Sequence, residues 1–541
     1  MQLPIAVRDN LFFLLSETAS QVANLQVLLE TLSDSVGQRI LDRTGYSYNL
    51  NMRIHDGCAR TLRRSKKDDV DIYSLRAAES IASSLEQITA LTHDCVRLVL
   101  KLDQADKLKK RPHAAQLEEV MKGIGLIEKA VEKYDTRLAL KIGNIERKLD
   151  RAYDKLYQEH LKELRKTKHA EEVVTSLFVG QRIAEMGDVL LLISEAIISA
   201  RLGQPMHMER FRSLETALSD LGLKKARVEP LAATKSGSGI SGISDPDADD
   251  KDYVAIFKDG KKDKMLEERD SVESWHEIFP GLAPQIFSYK KQGKHASLLI
   301  EHLPGRTFEQ IVLQNEDDLL GKALKHLTKT LNAVWVETKS KKIYPACHIG
   351  QLRKRLDSVI DLHPDFRPGP VNINGCSIKS MDQLLDQAEK LEEKYPPPFS
   401  VYIHGDFNLD NIIFDPQEKS IRFIDLHRSR YMDYVQDVAV FMVSNYRLQA
   451  LDKPTRERIR LVASQIYAFA ADFADKNKDR NFEIRLALGL ARSFITSTRF
   501  ILDQTLASNM FWRGQYLLKR VGEIKPKTAR AFRLPVEELF K

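Results

Sequence analysis

Residues 401–415 read VYIHGDFNLDNIIFD: an apolar run ends in His404, Gly405 and Asp406, and Asn411 follows five positions after that aspartate. Phosphoryl transfer from a nucleotide requires a carboxylate that accepts the proton of the attacking hydroxyl, and oxygen ligands for a divalent cation on the phosphates. An aspartate and an asparagine at this spacing on one loop can project both into one cleft. A second acidic ligand should stand at the end of the next strand, and NIIFDPQEKSIRFID supplies one. Ile412 and Phe414 alternate with Ile413, Asp415 and Pro416 open a turn, and IRFID delivers Asp425. The competing reading is a turn in which Asp and Asn serve only as caps.

The elements that must position these residues belong to a chain of 541 residues, too long for one core and suited to roughly two to four domains. With 43% hydrophobic and 29% charged residues, the composition is that of a globular protein and argues against large-scale disorder. The 83 basic and 76 acidic residues leave a net charge of +7, too small to imply nucleic acid and compatible with an anionic small substrate. Cys58, Cys95, Cys347 and Cys376 are far apart and form no CxxC pair, so neither a zinc site nor a disulfide framework is expected, and a reducing cytoplasm fits. Cys347–His348 has no partners at metal spacing. No secretory leader is read at MQLPIAVRDN. DVLLLISEAIISARL is interrupted by Glu195 and reads as a buried core helix, not a membrane span.

Up to about residue 215, apolar residues recur at threes and fours through NLFFLLSETASQVANLQVLLETL, LRAAESIASSLEQITALTHDCVRLVLKL and IEKAVEKYDTRLALKIGNIERKLDRAYDKLYQEHLKEL. DRTGYS, SKKDD, KKRPH and LGQP punctuate them as between antiparallel helices. SLEQITALTHDCVRLVL and RIAEMGDVLLLISEAI occupy equivalent places, which predicts two three-helix units. Here the chain resembles the PhoU-like family of helical bundles, whose repeats carry a pattern close to LERIGD with acidic positions that can hold metal. LEQITA keeps Glu86 and has Ala90 for the aspartate; IAEMGD keeps Asp188 and has Ala184 for the glutamate. Each copy has thus lost half its ligands, and a packing or interaction module is the competing reading.

From about 222 the character changes to short β-branched runs, then the helical MLEERDSVESWHEIF, then two further strands in APQIFSYKKQGKHASLLIEHLPG. After residue 306 the sequence is mostly helical. Small sheet, one helix, then a larger helical lobe is the order of a two-lobed kinase-like fold. HGDxxxxN followed by a strand ending in ID resembles the aminoglycoside phosphotransferase and choline kinase family more than the protein kinases, because glycine follows the histidine. The resemblance covers about 226–541. It implies Asp406 as catalytic base, His404 bracing the loop, Asn411 and Asp425 holding Mg2+, and Asp437 of DYVQDVAVF buttressing the loop through its backbone.

It also implies a phosphate cradle and a lysine upstream. TKSGSGISGIS offers Gly237, Gly239 and Gly242, which remove side-chain obstruction near phosphates; a flexible linker is the alternative. In YVAIFK, Val254, Ile256 and Lys258 share one strand face, so Lys258 emerges beside an apolar wall, unless it simply enters the DGKKDK turn. Glu268 is the expected partner of that lysine, with Glu267 and Glu273 as alternatives. SLLIEHLPGRTF resembles the family's hinge, where the backbone from Glu301 to Leu303 meets the adenine edge. The chain departs from relatives in DLHRSR, which brings His427, Arg428 and Arg430 next to the metal site. That departure suggests an anionic acceptor, already phosphorylated or carboxylated, or else a solvated basic loop.

The resulting expectation is a multidomain chain. An all-α bundle of two three-helix repeats (1–215) precedes a two-lobed α+β protein-kinase-like fold with a small lobe (226–305) and a large helical lobe (306–541). The resemblance implies transfer of the ATP γ-phosphoryl group to a hydroxyl of a small molecule, with the bundle regulating the enzyme or recruiting a protein partner. A catalytically silent nucleotide-binding regulator linked to phosphate response is the alternative, and a kinase of protein side chains a third reading.

Overall fold

The computed structural model describes all residues except 44, 65–70, 109, 166–167, 221–226, 234–238, 245–252, 315, 367–370, 374–375 and 451. The chain divides into two units, Met1–Asp259 and Gly260–Lys541.

In the first unit the apolar spacing becomes helices α1 (Ile5–Thr31), α2 (Asp34–Leu41), α3 (Tyr46–Arg64), α4 (Ile72–Leu100), α5 (Lys110–Lys133), α6 (Thr136–Leu164), α7 (Ala170–Leu202) and α8 (Met208–Asp220). Helix α4 packs on α7 along most of its length, with α1 and α3 against α4, and α5 and α6 against α7. The equivalent positions Leu85 and Ile183 are both fully buried in that arrangement. The short α2 is an element the spacing did not separate. The long run expected from Ile127 to Leu164 is broken: Tyr134 takes a left-handed conformation with φ of 53°. Asp135 then caps α6 by accepting the N–H groups of Arg137 and Leu138. Apolar spacing continues on both sides of that reversal, which is why periodicity alone hides it.

The residues of the acidic pattern have different surroundings in the two copies. Glu86 accepts a hydrogen bond from Asn51 of α3. Asp188 lies with Glu146 and Asp150 of α6, their ligand oxygens within 4.8 Å of one another. Burial, with the neighbouring carboxylates adding to it, raises the Glu146 and Asp188 carboxyls.

The first unit continues into three antiparallel strands, β1 (Arg227–Ala233), β2 (Gly239–Ser244) and β3 (Tyr253–Lys261, which crosses into the second unit), with β2 paired to both neighbours. Arg210 of α8 ties the helices to them, pairing with Asp259 at 2.6 Å and donating to Ser241 Oγ at 3.0 Å.

The second unit opens with α9 (Lys262–Ile278) and the hairpin β4 (Ile286–Gln292) and β5 (His295–Glu301). There follow β6 (Arg306–Thr307), α10 (Phe308–Leu313), α11 (Asp317–Glu337), α12 (His348–Leu362), β7 (Val371–Ile373), β8 (Cys376–Ile378) and α13 (Met381–Lys394). The strands that carry the site are β9 (Val401–Ile403), β10 (Ile412–Asp415), β11 (Ser420–Phe423) and β12 (Arg430–Met432). Helices α14 (Val435–Tyr446), α15 (Lys453–Lys476), α16 (Phe482–Ser497) and α17 (Gln504–Gly522) complete the unit. In the hairpin β10–β11, Ile412 pairs with Phe423 and Phe414 with Ile421, all four buried, so the alternation in the sequence is the alternation of burial. An aromatic layer of Trp275, Phe423, Phe407 and Phe441 lies under these strands and α14, and Tyr434 packs in a second group with Trp335, Phe399 and Phe473.

Beside that layer sits a buried ionic group. Arg485 of α16 donates through Nε to Asp433 at 2.7 Å and through Nη1 to Asp479 at 2.9 Å, and Tyr434 Oη donates to Asp479 at 2.7 Å. The Arg485 side chain is 4% exposed and each aspartate 1%. Removing the cation leaves two buried carboxylates without a countercharge. The variant Arg485→Met is expected to lose about 3–5 kcal/mol, read as a lowered urea midpoint for the transition of the C-terminal unit.

Candidate active site

Strand β9 is buried at all three positions and ends at Ile403, so the loop that begins with His404 starts from a fixed point. Gly405 has φ of +82°, and a Cβ there would run into the Arg428 carbonyl oxygen. A side chain at 405 is therefore excluded both by conformation and by space. The His404 and Gly405 N–H groups donate to the two oxygens of one carboxylate, Asp437 of α14, at 2.7 and 2.9 Å. The backbone buttress implied for Asp437 is thus a two-pronged one.

His404 is buried, and its hydrogen bonds fix its tautomer. Nδ1 accepts from the Asp406 N–H at 3.3 Å, so Nε2 carries the proton it donates to the Ile424 carbonyl at 2.9 Å. Burial lowers the imidazole's pKa and keeps the ring neutral. His404 therefore acts on the loop and not on a ligand: it ties the turn at Asp406 to the end of the β10–β11 hairpin. A third tie comes from α9, where Trp275 Nε1 donates to Ser429 Oγ at 2.8 Å and Ser429 donates to the His404 carbonyl at 3.2 Å.

Asp406 is held on every side. One carboxylate oxygen accepts from Asn408 Nδ2 at 3.0 Å and the other pairs with Arg428 Nη1 at 3.1 Å. Its carbonyl accepts from Asn411 Nδ2 at 2.9 Å. That bond turns the Asn411 Oδ1 away from the loop backbone. Asn411 also receives the Ile424 N–H on its own carbonyl at 3.0 Å, which sets Asp425 beside it. Asp425 has φ of 60°, a left-handed conformation costly for a residue with a side chain, and His427 Nδ1 lies 3.2 Å from its Oδ1. Asn411 and Asp425 offer oxygen atoms alone, a donor set that fits Mg2+ and does not suit a soft metal. His427 stands where a second ring can orient the Asp425 carboxylate.

Of the other residues singled out in the sequence, Glu301 ends β5, with its N–H donating to the Gln285 carbonyl at 2.8 Å and its carboxylate held by Arg422 at 3.3 Å. Leu303 is buried two residues on, and Glu268 is buried in α9. In the first unit, Lys258 is 6% exposed in β3, a burial that a lysine tolerates only with a partner. Gly239 and Gly242 are in strand β2, where the Arg210 guanidinium lies against the first and the Tyr253 ring against the second. Gly237 lies outside the described residues. The sequence reading did not single out Asn408, Trp275 or Ser429. Only Asn408 carried a signal, as a second carboxamide inside the motif.

Residues 266–473 match the family described as the phosphotransferase enzyme family, so the C-terminal part carries a domain of that family. An aminoglycoside 3'-phosphotransferase of Salmonella typhimurium is 27% identical over 161 residues, 29% of this chain and 55% of that protein. The chain thus spans about half the length of this curated relative. Among solved structures, an aminoglycoside-3'-phosphotransferase of type VIII is 16% identical, covering 52% of this chain and 98% of its own, with a TM-score of 0.35. The phosphate transport system regulatory protein PhoU from Streptococcus pneumoniae is 14% identical, covering 37% of this chain and 96% of its own, with a TM-score of 0.34. The chain is multidomain, a helical N-terminal region followed by a kinase-like domain with small antiparallel sheets. Among the described residues no helix is long and apolar enough to cross a membrane.

Burial pushes the Asp437 carboxyl up to about 7, while the Gly405 and His404 N–H donors and Arg492 pull it down. A carboxyl raised above its unfolded value keeps a proton that the unfolded chain releases. Its contribution to stability is therefore present below about pH 4 and is lost as pH rises to about 7. The loop has the opposite need, because a protonated carboxyl accepts through one oxygen only. In Asp437→Asn the one-proton slope of stability between those pH values should vanish. At pH 8 the amides of 401–411 should lose roughly tenfold or more of their hydrogen-exchange protection, measured by mass spectrometry.

Proposed function

We propose that this protein is a phosphotransferase that moves the γ-phosphoryl group of ATP to a hydroxyl of a small-molecule acceptor. The observation that supports this best is the placement of Asp406, anchored at its N–H, carbonyl and carboxylate, next to the oxygen donors of Asn411 and Asp425. Asp406 takes the proton as the acceptor oxygen bonds to the γ-phosphorus and the bond to the β-phosphate oxygen breaks, releasing ADP. Asn411 and Asp425 would hold Mg2+, which when bound neutralises charge on the phosphates. Lys258 is assigned to the phosphates, Glu268 to the supporting role the resemblance implies, and Gly237 and Gly239 to the backbone near the phosphates. Since the Glu301 N–H is already used by Gln285, the adenine edge would meet the Glu301 carbonyl and the Leu303 N–H. Residues 226–305 are assigned as the small lobe of this enzyme and 306–541 as the large one. The bundle of residues 1–215 would regulate it or recruit a protein partner.

An aminoglycoside, the acceptor in the relative's name, brings ammonium groups. Arg428 on Asp406 puts a guanidinium where the acceptor hydroxyl would arrive, so that acceptor is not carried over to this chain. The same ion pair favours a second reading, a regulator that binds nucleotide without transferring phosphate, because both Asp406 oxygens are engaged.

Asp406→Asn separates the two. The phosphotransferase reading expects ADP-forming transfer to fall by roughly a hundredfold or more, with Mg-ATP still raising the melting temperature of the variant. Equal turnover by the variant and the wild-type chain would remove the assignment.

A further inference from the structure

Arginines from three stretches of the chain gather around Asp406: Gln351 and Gln436, hydrogen-bonded to each other, join Arg355 to Arg492, and Gln436 precedes the Asp437 that holds the loop. Arg428, which follows the β10–β11 hairpin, is in contact with it at 3.1 Å. Arg355 comes from α12, Arg492 from α16, and Arg499 from the turn after α16. Among the described residues Arg355 hydrogen-bonds to Gln351 alone, through Nη1 at 3.5 Å. Arg492 is 5% exposed; its Nη2 donates to Gln436 at 2.7 Å, and its buried Nε has no hydrogen-bond partner. The Arg499 Nε is likewise buried without a partner, its guanidinium lying over the Phe500 ring at 4.4 Å. Among the described residues none of these three pairs with a carboxylate.

Burial lowers the guanidinium pKa of Arg355, Arg492 and Arg499, and a neighbouring cation lowers each further, Arg428 for Arg355 and Arg355 for Arg492 and Arg499, while Asp406 is the anion common to the three. Burial brings Arg492 down to about 9. Guanidiniums removed from water and crowded together are unfavourable unless an anion joins them. Arg428 already gives the Asp406 carboxylate a cationic partner. Three further unpaired guanidiniums leave room for a second oxyanion, and the planar fork of arginine fits phosphate or carboxylate through paired N–H donors.

We propose that the acceptor is an alcohol that already bears an oxyanion, a phosphate monoester or a carboxylate, and that Arg355 and Arg499, backed by the buried Arg492, bind that group while its hydroxyl faces Asp406. This inference rests on the phosphotransferase reading and adds the substrate class.

The test uses the full chain with Mg-ATP and matched acceptors: glycerol, glycerol 3-phosphate and glycerate; glucose, glucose 6-phosphate, gluconate and glucosamine. ADP release and product mass are the readouts. At least one charged member is expected to exceed its neutral parent in kcat/KM by roughly tenfold or more. Arg355→Gln and Arg499→Gln should raise KM for that acceptor with little change in kcat. Binding is measured without turnover by titrating inorganic phosphate, nucleotide absent, into the wild-type chain and the Arg355→Gln, Arg499→Gln double variant, each checked by circular dichroism. Weaker binding by the folded double variant is the supporting result; equal binding overturns the proposal. Transfer that ignores acceptor charge, or that prefers glucosamine, overturns the acceptor class and leaves the phosphotransferase standing. Transfer to no member of the panel, with Asp406→Asn indistinguishable from the wild-type chain, overturns both.

Discussion

The geometry of the site depends on one buried carboxylate. Asp437 accepts the N–H groups of two successive residues, His404 and Gly405, and so fixes the direction in which the chain leaves β9. Asp406 follows immediately, and its position is inherited from that bond pair. Asp437 is in turn held by α14, whose first turn starts at Asp433 and Tyr434, both anchored through Arg485 and Asp479. A buried ionic group and a reactive loop are therefore linked by one helical turn. Positive φ at Gly405, the neutral tautomer of His404 and the left-handed backbone of Asp425 are local conditions imposed on that frame.

What could be read from the sequence follows the distance over which each interaction acts. The HGDxxxxN stretch, the hairpin and Asp425 lie within 22 residues, so their types and spacing carried the chemistry in plain view. Asp437 was legible because its helix begins a few residues later. The arginine cluster was only partly visible: Arg428 stands in DLHRSR, whereas Arg355, Arg492 and Arg499 come from α12, α16 and the turn after it and carry no signal in the chain. Helices of the bundle were legible from apolar spacing, but the reversal at Tyr134 and Asp135 was not, since a cap changes the backbone without interrupting the pattern. Gly239 and Gly242 read as loop residues from composition alone. In the structure they lie in a strand, where a ring and a guanidinium occupy the space that side chains would fill.

Each helical repeat also encloses a polar layer that composition does not reveal. In the first, Gln21 of α1 bridges Glu17 and His93 of α4, and Arg43 closes the group on Glu17. In the second, Ser176 of α7 lies between His113 of α5 and His160 of α6, at 2.8 and 2.9 Å. Burial brings His113 down to about 4, so that imidazole is neutral at ordinary pH. Directional bonds in an apolar bundle penalise sliding of one helix along another, because a shift by one turn leaves buried donors unmatched.

The same reasoning applied to the second unit distinguishes two kinds of buried charge. Arg485 is surrounded by two aspartates and a tyrosine, and its charge is compensated within the fold. Arg492, seven residues further along the same helix, is equally buried and among the described residues has only the Gln436 carboxamide. A fold that needed Arg492 for stability alone would supply it with a carboxylate, as it does for Arg485. The asymmetry is explained if the missing negative charge arrives from solution. On that reading the helix has two roles along its length: one end, whose cation is compensated within the fold, supports the Asp437 frame, and the other would offer a cation to an anion approaching Asp406.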